Sequence, residues 1–174
     1  MTIAPAPNDR IEIVTSDPRW PAAFEIEAAR IRAALRAHGE PAIEHIGSTA
    51  VPGLDAKPVI DILLIEADMA RWPRFIAPLQ ALGYVFWADN PRRDRLFFVK
   101  GMPPAGSGRT HHVHVRTPAD AQRECAFRDW LRAHAGDAAR YAALKRELAA
   151  AHRDDREAYT EGKTAFIEAM LARG

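Results

Sequence analysis

The residues best suited to chemistry lie in one short stretch, residues 45–61, with the sequence HIGSTAVPGLDAKPVID. A predicted strand ends at Gly47 and Ser48, and after a turn the next predicted strand carries Asp61 in the otherwise apolar run VIDILLI. Backbone N–H groups after Gly47, together with the Ser48 hydroxyl, are suited to holding a phosphate oxygen. A carboxylate in an apolar strand is costly unless it is paired or binds a cation. Asp61 is therefore a candidate metal ligand or general base, and capping of a backbone N–H at a strand edge is the alternative.

A pair of histidines on the predicted strand 110–116 forms a second candidate group. His112 and His114 are two residues apart, so they face the same side of a strand, whereas His111 faces the other side. Imidazole ligands suit zinc, manganese or iron, and magnesium would need help from a substrate phosphate. If this strand lies beside that of Asp61, the three side chains form a two-histidine, one-carboxylate metal site. The alternative is that the histidines hydrogen-bond the backbone or a phosphate without a metal.

Basic side chains near these motifs predict an anionic ligand. Lys57 lies in the turn between Ser48 and Asp61, and Lys145 and Lys163 fall on the apolar stripes of predicted helices. A lysine on a buried stripe either extends its ammonium group to solvent or meets an anion. We expect a phosphorylated small molecule or nucleotide to contact the following residues: Gly47, Ser48, Thr49, Lys57, Arg95, Lys145, Tyr159 and Lys163.

The periodicity of apolar residues predicts the elements that position these groups. Alternation or β-branched runs predict strands at 11–14, 42–46, 59–65, 84–88, 93–100 and 110–116. Spacings of three and four residues, with N-cap and breaker signals, predict helices at 17–35, 68–83 (interrupted by prolines), 117–133, 137–152 and 155–172. This order predicts an α+β fold in one domain spanning 1–174. It has a mixed sheet of four to five strands, helices packed on one face and at one end, and a helical C-terminal third.

Composition excludes several classes of protein. The chain has 174 residues, a net charge of +1 and a single cysteine. The charge balance argues against generic nucleic-acid binding, and one cysteine excludes an internal disulfide framework or a multi-cysteine metal site. We find no apolar run long enough to span a membrane and no secretory signal in the N-terminal residues. We therefore expect a soluble, cytoplasmic protein whose oligomeric state is open.

The motif around Asp61 resembles that of the nucleotidyltransferase superfamily typified by DNA polymerase beta, in which a Gly-Ser motif precedes an Asp-x-Asp strand. The string HIGSTAVPGLDAKPVIDI is closer still to the signature of the GrpB family. The resemblance extends along most of the chain, through DPRWPAAFEIE, LGY, RLFFVK, HVHV, YAALKRELA and DREAYTEGKTAFI, in the family's order. It implies the nucleotidyltransferase fold.

The resemblance also has a specific departure. Members of the superfamily hold two divalent ions with two carboxylates on one strand and a third on a neighbouring strand. Here the position two after Asp61 is Leu63, so the second carboxylate is absent. His112 and His114 are the candidate replacements, and Glu44 or His45 is a candidate for a further ligand.

Three functions remain open on the sequence. The first is an enzyme that transfers a nucleotidyl or other phosphate-containing group, in which Ser48 positions the phosphate and Asp61 binds a metal or acts as a base. The second is an inactive module that binds a nucleotide or a coenzyme A-type ligand, and Leu63 favours it. The third is a histidine-dependent metallohydrolase. Fusion of some family members to dephospho-coenzyme-A kinase suggests coenzyme A metabolism by association.

Overall fold

A computed structural model describes residues 10–173, so the prediction about an N-terminal signal lies mostly outside the described residues. The elements of this range are, in chain order, α1 (Trp20–Leu35), β1 (Ala42–Ile46), β2 (Ile60–Ile65), α2 (Ile76–Ala81), β3 (Tyr84–Phe86), β4 (Leu96–Lys100), β5 (His111–Arg116), α3 (Pro118–Ala133), α4 (Ala135–Ala151), α5 (Arg156–Glu161) and α6 (Thr164–Leu171). Two 3-10 segments accompany them, at Ser48–Ala50 and Met69–Phe75. None of the helices within residues 10–173 is long and apolar enough to cross a membrane.

The strands form one mixed sheet in the order β1-β2-β5-β4-β3. β2 and β5 run parallel, and the other neighbouring strands pair antiparallel. A parallel pair requires a long crossover connection, and here that connection contains α2, β3 and β4. The five-stranded mixed sheet and the helical C-terminal third confirm the predicted α+β fold.

Helices α1 and α2 cover one face of the sheet. Alternate residues of a strand point to the same side, and Ile60, Ile62 and Leu64 of β2 join the apolar core formed with these two helices. The predicted apolar stripe of α1 is buried in this core and comprises Trp20, Phe24, Ala28, Ile31 and Leu35. The opposite face carries Asp61 and Leu63, and α3 packs on it through Ala121. Asp61 therefore lies on the face that α1 and α2 leave uncovered, which we call the open face; the other is the covered face.

The last predicted helix, 155–172, is divided into α5 and α6 at Gly162 and Lys163. A Cβ atom at position 162 would lie 2.4 Å from Cδ2 of Leu148 on α4, so the Leu148 side chain would have to shift to accept one. The bend places Lys163 at the start of α6 rather than in the middle of a continuous stripe.

Other local predictions differ from the structure at their boundaries, and three of them have a visible cause or partner. The predicted strand 11–14 is reduced to a single bridge between Val14 and Ala56. The first helix starts at Trp20, and the Asp17 carboxylate accepts a hydrogen bond from the Arg19 N–H just before it. The first half of the segment 68–83 is a 3-10 helix that contains Pro73, whose missing N–H and fixed ring oppose a regular α-helix.

Candidate metal and phosphate site

The parallel pairing of β2 and β5 brings the predicted metal ligands together. The register sets Asp61 opposite His112 and Leu63 opposite His114, so all four side chains are on the open face. His112 Nδ1 donates a 2.9 Å hydrogen bond to Oδ1 of Asp61. His114 Nε2 lies 3.9 Å from the same oxygen. The expectation that the two strands are neighbours is confirmed.

Burial and hydrogen bonding set the charges of this group. Burial by itself would raise the pKa of Asp61, but hydrogen bonds and charge from His112 and His114 hold it well below its usual range. Burial lowers the pKa of His112 to about 4, against the opposing effect of Asp61. The pair is therefore a carboxylate and a neutral imidazole at neutral pH, which are the protonation states that bind metals.

The unused nitrogen atoms test whether this group fits a metal ion. Nε2 of His112 and Nδ1 of His114 are both buried and accept or donate no hydrogen bond among the described residues. Buried polar atoms without partners are rare in folded proteins. Asp61, His112 and His114 can each offer one ligand atom within 4.8 Å of the others. Two nitrogens and one carboxylate oxygen form a donor set that suits a divalent transition metal.

The turn that follows β1 places Ser48 beside the buried lysine of α4. Gly47 precedes the 3-10 turn with a φ of +72°, a left-handed conformation that favours glycine. The Ser48 hydroxyl accepts a 2.8 Å hydrogen bond from Nζ of Lys145. Nζ of Lys145 also donates to the backbone carbonyl of Asp55. The turn and α4 are thereby joined through one ammonium group.

Three lysines and two tyrosines surround this turn, and we call them the lysine cluster: Lys57, Lys145, Lys163, Tyr141 and Tyr159. Lys145 is only 2% exposed, and its Nζ lies 4.9 Å from the centre of the Tyr141 ring. The Nζ atoms of Lys57 and Lys163 lie 5.0 and 4.4 Å from the centre of the Tyr159 ring. These cation–π contacts partly compensate for lost hydration.

The lysine cluster carries more positive charge than it can easily hold. Burial and, to a smaller extent, the charge of Lys163 together lower the pKa of Lys57 and of Lys145 to about 7. Burial likewise lowers the pKa of Lys163 to about 8, whereas the carboxylate of Asp61 acts in the opposite direction. An anion bound among these groups would stabilise their charged forms.

Two further predicted ligand contacts, Thr49 and Arg95, have partners within the protein. Thr49 is buried, and its hydroxyl bonds Nε2 of His45 at 3.0 Å and donates to the carbonyl of Val59. Arg95 comes just before β4 and pairs with its neighbour Asp94, which also pairs with Arg116. That either side chain contacts a ligand stays a prediction.

The two further candidate metal ligands are engaged elsewhere. His45 lies opposite Ile62, so its ring is on the covered face, where it stacks on Phe24 at 4.6 Å. Strand alternation explains why it does not face Asp61. Glu44 is on the open face, but its carboxylate accepts a 2.7 Å hydrogen bond from Arg128.

Sequence reasoning did not single out two contributors to the site. Phe97 lies opposite His114, and its ring is 4.9 Å from that imidazole and 5.1 Å from His112. Its position two residues from Arg95 placed it on the correct face without indicating these contacts. Tyr141 precedes Lys145 by four residues, a spacing that puts two side chains on one side of a helix.

Comparison with solved structures defines the class of protein. Over 93% of this chain and 96% of the other, the fold matches the crystal structure of the conserved protein GrpB from Enterococcus faecalis, with a TM-score of 0.81 and 33% identity. A crystal structure of the Cid1 poly(U) polymerase matches with a TM-score of 0.51 and 17% identity, over 79% of this chain and 44% of that one. The fold is that of the nucleotidyltransferase-like proteins.

Comparison of sequences identifies the family. The family model described as GrpB protein matches residues 10–173, and the chain belongs to this family. It is 55% identical to UPF0157 protein PA4798 of Pseudomonas aeruginosa over 97% of this chain and 69% of that protein. It is also 31% identical to a protein named dephospho-CoA kinase from Mycolicibacterium paratuberculosis, of which it spans 47%. The resemblance seen in the sequence is thereby confirmed.

Proposed function

We propose that the chain binds a phosphorylated small molecule, of nucleotide or coenzyme A type, and transfers a nucleotidyl or other phosphate-containing group. The phosphate lies against Ser48 and the ammonium groups of Lys57, Lys145 and Lys163. A divalent metal lies at Asp61, His112 and His114. The crowding of three buried or half-buried ammonium groups around one turn carries this proposal.

The charge of the lysine cluster supports an anionic ligand. Among residues 10–173, no ion pair joins Lys57, Lys145 or Lys163 to a carboxylate. The acid that raises the pKa of all three is Asp61, a single negative charge. Buried charges without partners are costly, and a phosphate supplies two negative charges and several acceptor oxygens in one group.

The contacts assign a role to each side chain. Lys145 donates to Ser48 Oγ, so the hydroxyl hydrogen of Ser48 is left to donate to a phosphate oxygen. The lysines neutralise charge that develops on the phosphate. Asp61, His112 and His114 would hold the metal, which acts as a Lewis acid on phosphate oxygens. Asp61 would otherwise accept a proton from an attacking hydroxyl group.

The packing of Leu63 favours a second candidate, a module that binds the same ligand without turnover. Leu63 has no exposed surface and packs with Ile46 and Ala121. The second carboxylate position of the superfamily is therefore part of an apolar contact between the sheet and α3. One acid and two imidazoles can hold one metal, whereas the two-metal mechanism requires more carboxylates.

A ligand panel tests binding, and labelled nucleotide tests transfer. We expect at least one nucleoside triphosphate or coenzyme A intermediate to raise the melting temperature, more strongly with Mn²⁺. At a hundred times the dissociation constant the stabilisation is about 2.7 kcal/mol. The relative named dephospho-CoA kinase is the reason to include coenzyme A intermediates. Absence of any shift, with or without Mn²⁺, would contradict binding.

Matched variants connect the panel to the lysine cluster. Lys145→Met removes the ammonium group while keeping an unbranched apolar chain, and it should weaken ligand binding by about tenfold or more. Arg146→Gln removes a charge from the next residue of α4, which pairs with Asp55, and should bind normally. Transfer of label from an α-labelled triphosphate indicates an enzyme, whereas tight binding without transfer supports the binding module.

A further inference from the structure

A row of rings crosses the open face from the metal ligands to the far edge of the sheet. His114 of β5 lies opposite Phe97 of β4, and their ring centres are 4.9 Å apart. The N–H of Trp87 donates a 2.9 Å hydrogen bond to the carbonyl of Phe97, which sets these two residues opposite each other. Their rings meet edge to face at 5.9 Å. We call Trp87 and Phe97 the aromatic shelf.

The aromatic shelf lies at the end of the open face that helix α3 does not cover. Trp87 and Phe97 are both only half-buried. Helix α3 packs against β1, β2 and β5, whereas α1 and α2 lie on the opposite face. Beside Phe97 the buried side chain of Met102 closes one flank. Each ring buries most of its surface and keeps a part accessible next to the candidate metal site.

The shelf and the lysine cluster lie on opposite sides of the candidate metal ligands. Ser48 follows β1, which is one edge of the sheet, and Trp87 follows β3, which is the other edge. Asp61 and His112 lie on the two strands nearer β1. A molecule that spans this face would place its phosphate at one end and an apolar, flat group at the other.

The geometry of the shelf suits a flat ring. The connection from Trp87 to β4 carries exposed charges of both signs, Arg92 and Arg93 with Asp89 and Asp94, so the rings and not the charges favour a particular ligand. Flat rings stack on aromatic side chains irrespective of the identity of the base. A purely aliphatic group would gain less from two rings that meet edge to face.

We propose that the aromatic shelf binds the planar heteroaromatic ring of a nucleobase, which makes a base-bearing molecule a substrate of this site. This inference rests on the proposed function, because the ring is placed relative to the phosphate and metal positions. The base belongs either to the phosphorylated ligand itself or to a second molecule that receives the transferred group. Both sources present the same ring to Trp87.

Four probes and two variants test the shelf by isothermal titration calorimetry. The probes are pyrophosphate, ribose 5-phosphate, AMP and adenosine. Trp87→Leu keeps apolar bulk without a ring, and Trp87→Phe keeps a ring. Loss of one stacking contact corresponds to about a five- to 150-fold weaker affinity. We expect Trp87→Leu to weaken AMP or adenosine binding in this range and Trp87→Phe to restore most of it, with pyrophosphate unaffected.

The probes also separate the two sources of the base. AMP binding more tightly than ribose 5-phosphate assigns the base to the phosphorylated ligand. Adenosine binding that persists when pyrophosphate saturates the protein assigns it to a second molecule. In either case, saturation-transfer NMR on the unaltered protein should show the adenine protons closer to the protein than those of the ribose, which tests the shelf even if Trp87→Leu fails to fold.

The outcomes distinguish this inference from the function on which it rests. If AMP and adenosine each bind folded Trp87→Leu as tightly as they bind the unaltered protein, the shelf is overturned. Failure of both AMP and adenosine to bind would overturn it as well. Failure of pyrophosphate to bind while adenosine still depends on Trp87 would contradict the proposed phosphate site and leave the shelf standing.

Discussion

A Cβ atom at position 47 would lie 2.5 Å from Oδ2 of Asp61, so any side chain at position 47 would displace the Asp61 carboxylate. The contact follows from the antiparallel pairing that places Ile46 opposite Asp61. Gly47 also has a φ of +72°, which residues with a side chain rarely adopt. The Gly-Ser motif thus needs a glycine for two reasons: the space beside the Asp61 carboxylate and the left-handed backbone of the turn.

We predict that Gly47→Ala destabilises the fold by at least about 2 kcal/mol, because the left-handed backbone and the clash with Asp61 both oppose it. It should also weaken metal binding, since the carboxylate must move. Gly53→Ala is the matched control, with a φ of +75° and no atom within 4 Å of the added Cβ. Chemical denaturation should give it a loss of only about 1 kcal/mol. Equal losses in the two variants would show that the contact with Asp61 is unimportant.

The metal site makes a prediction about two neighbouring histidines. His112→Ala should reduce the affinity for Zn²⁺ or Mn²⁺ by more than about tenfold, because even supporting groups of a metal site contribute tenfold or more. His111→Ala should leave it unchanged, since that ring lies on the opposite face and bonds Thr110. Metal titration by calorimetry measures both. Unchanged affinity in His112→Ala and in Asp61→Asn would remove the metal from the proposal.

The lowered pKa values of the lysines predict how anion binding depends on pH. Lys57 and Lys145 have a pKa of about 7 and Lys163 one of about 8, so their charges are lost as pH rises through 7 to 8. The other charged or titratable groups that influence them or contact them are Asp61, Arg109, Arg156, Tyr141 and Tyr159. Sulfate affinity should therefore be highest near pH 6 and fall by about tenfold or more by pH 9.

Sulfate is a suitable probe for this titration because its own charge is constant over the range. Calorimetry at several pH values should also show proton uptake on binding, since an anion raises the pKa of the lysines. Lys145→Met should bind sulfate more weakly at pH 6 and lose less affinity between pH 6 and 9. A flat profile in the unaltered protein would contradict the cationic site.

A buried ion pair on the covered face makes a prediction about stability. Glu27 is 3% exposed, accepts a 2.6 Å hydrogen bond from Lys100 and another from the Tyr84 hydroxyl. Glu27→Gln should cost about 1–3 kcal/mol, because it leaves the half-buried ammonium group of Lys100 without its charge partner. Glu25→Gln, exposed on the same helix, should cost almost nothing.

The pH dependence of this loss has a definite sign. Burial by itself would raise the pKa of Glu27. The hydrogen bond and the charge of Lys100 lower the pKa by more than burial raises it, so it lies below the ordinary value. The stabilisation is then complete above the pKa of an unfolded glutamate, about 4.3, and disappears as pH falls through the folded value. Denaturation curves of the unaltered protein and Glu27→Gln should converge in acid. A constant difference would contradict the assigned charge state.

Local patterns in the sequence predicted most of the elements and the face that each side chain of a strand takes. Period-two alternation placed Asp61 and Leu63 on one side of β2, and it separated His111 from His112. These predictions hold because the direction of a side chain on a strand depends only on its neighbours along the chain. The break at Gly162 and Lys163 was missed because the three- and four-residue spacing of Tyr159, Lys163, Phe166 and Met170 continues across it.

The sequence alone determined that this chain carries an acid in an apolar strand, a His-x-His pair and lysines on apolar helix stripes. Only the tertiary structure decided that His112 lies level with Asp61, that His45 turns away to Phe24, and that Lys145 reaches Ser48 across 97 positions of the chain. Such contacts depend on strand pairing and helix packing between distant segments, and no local spacing encodes them.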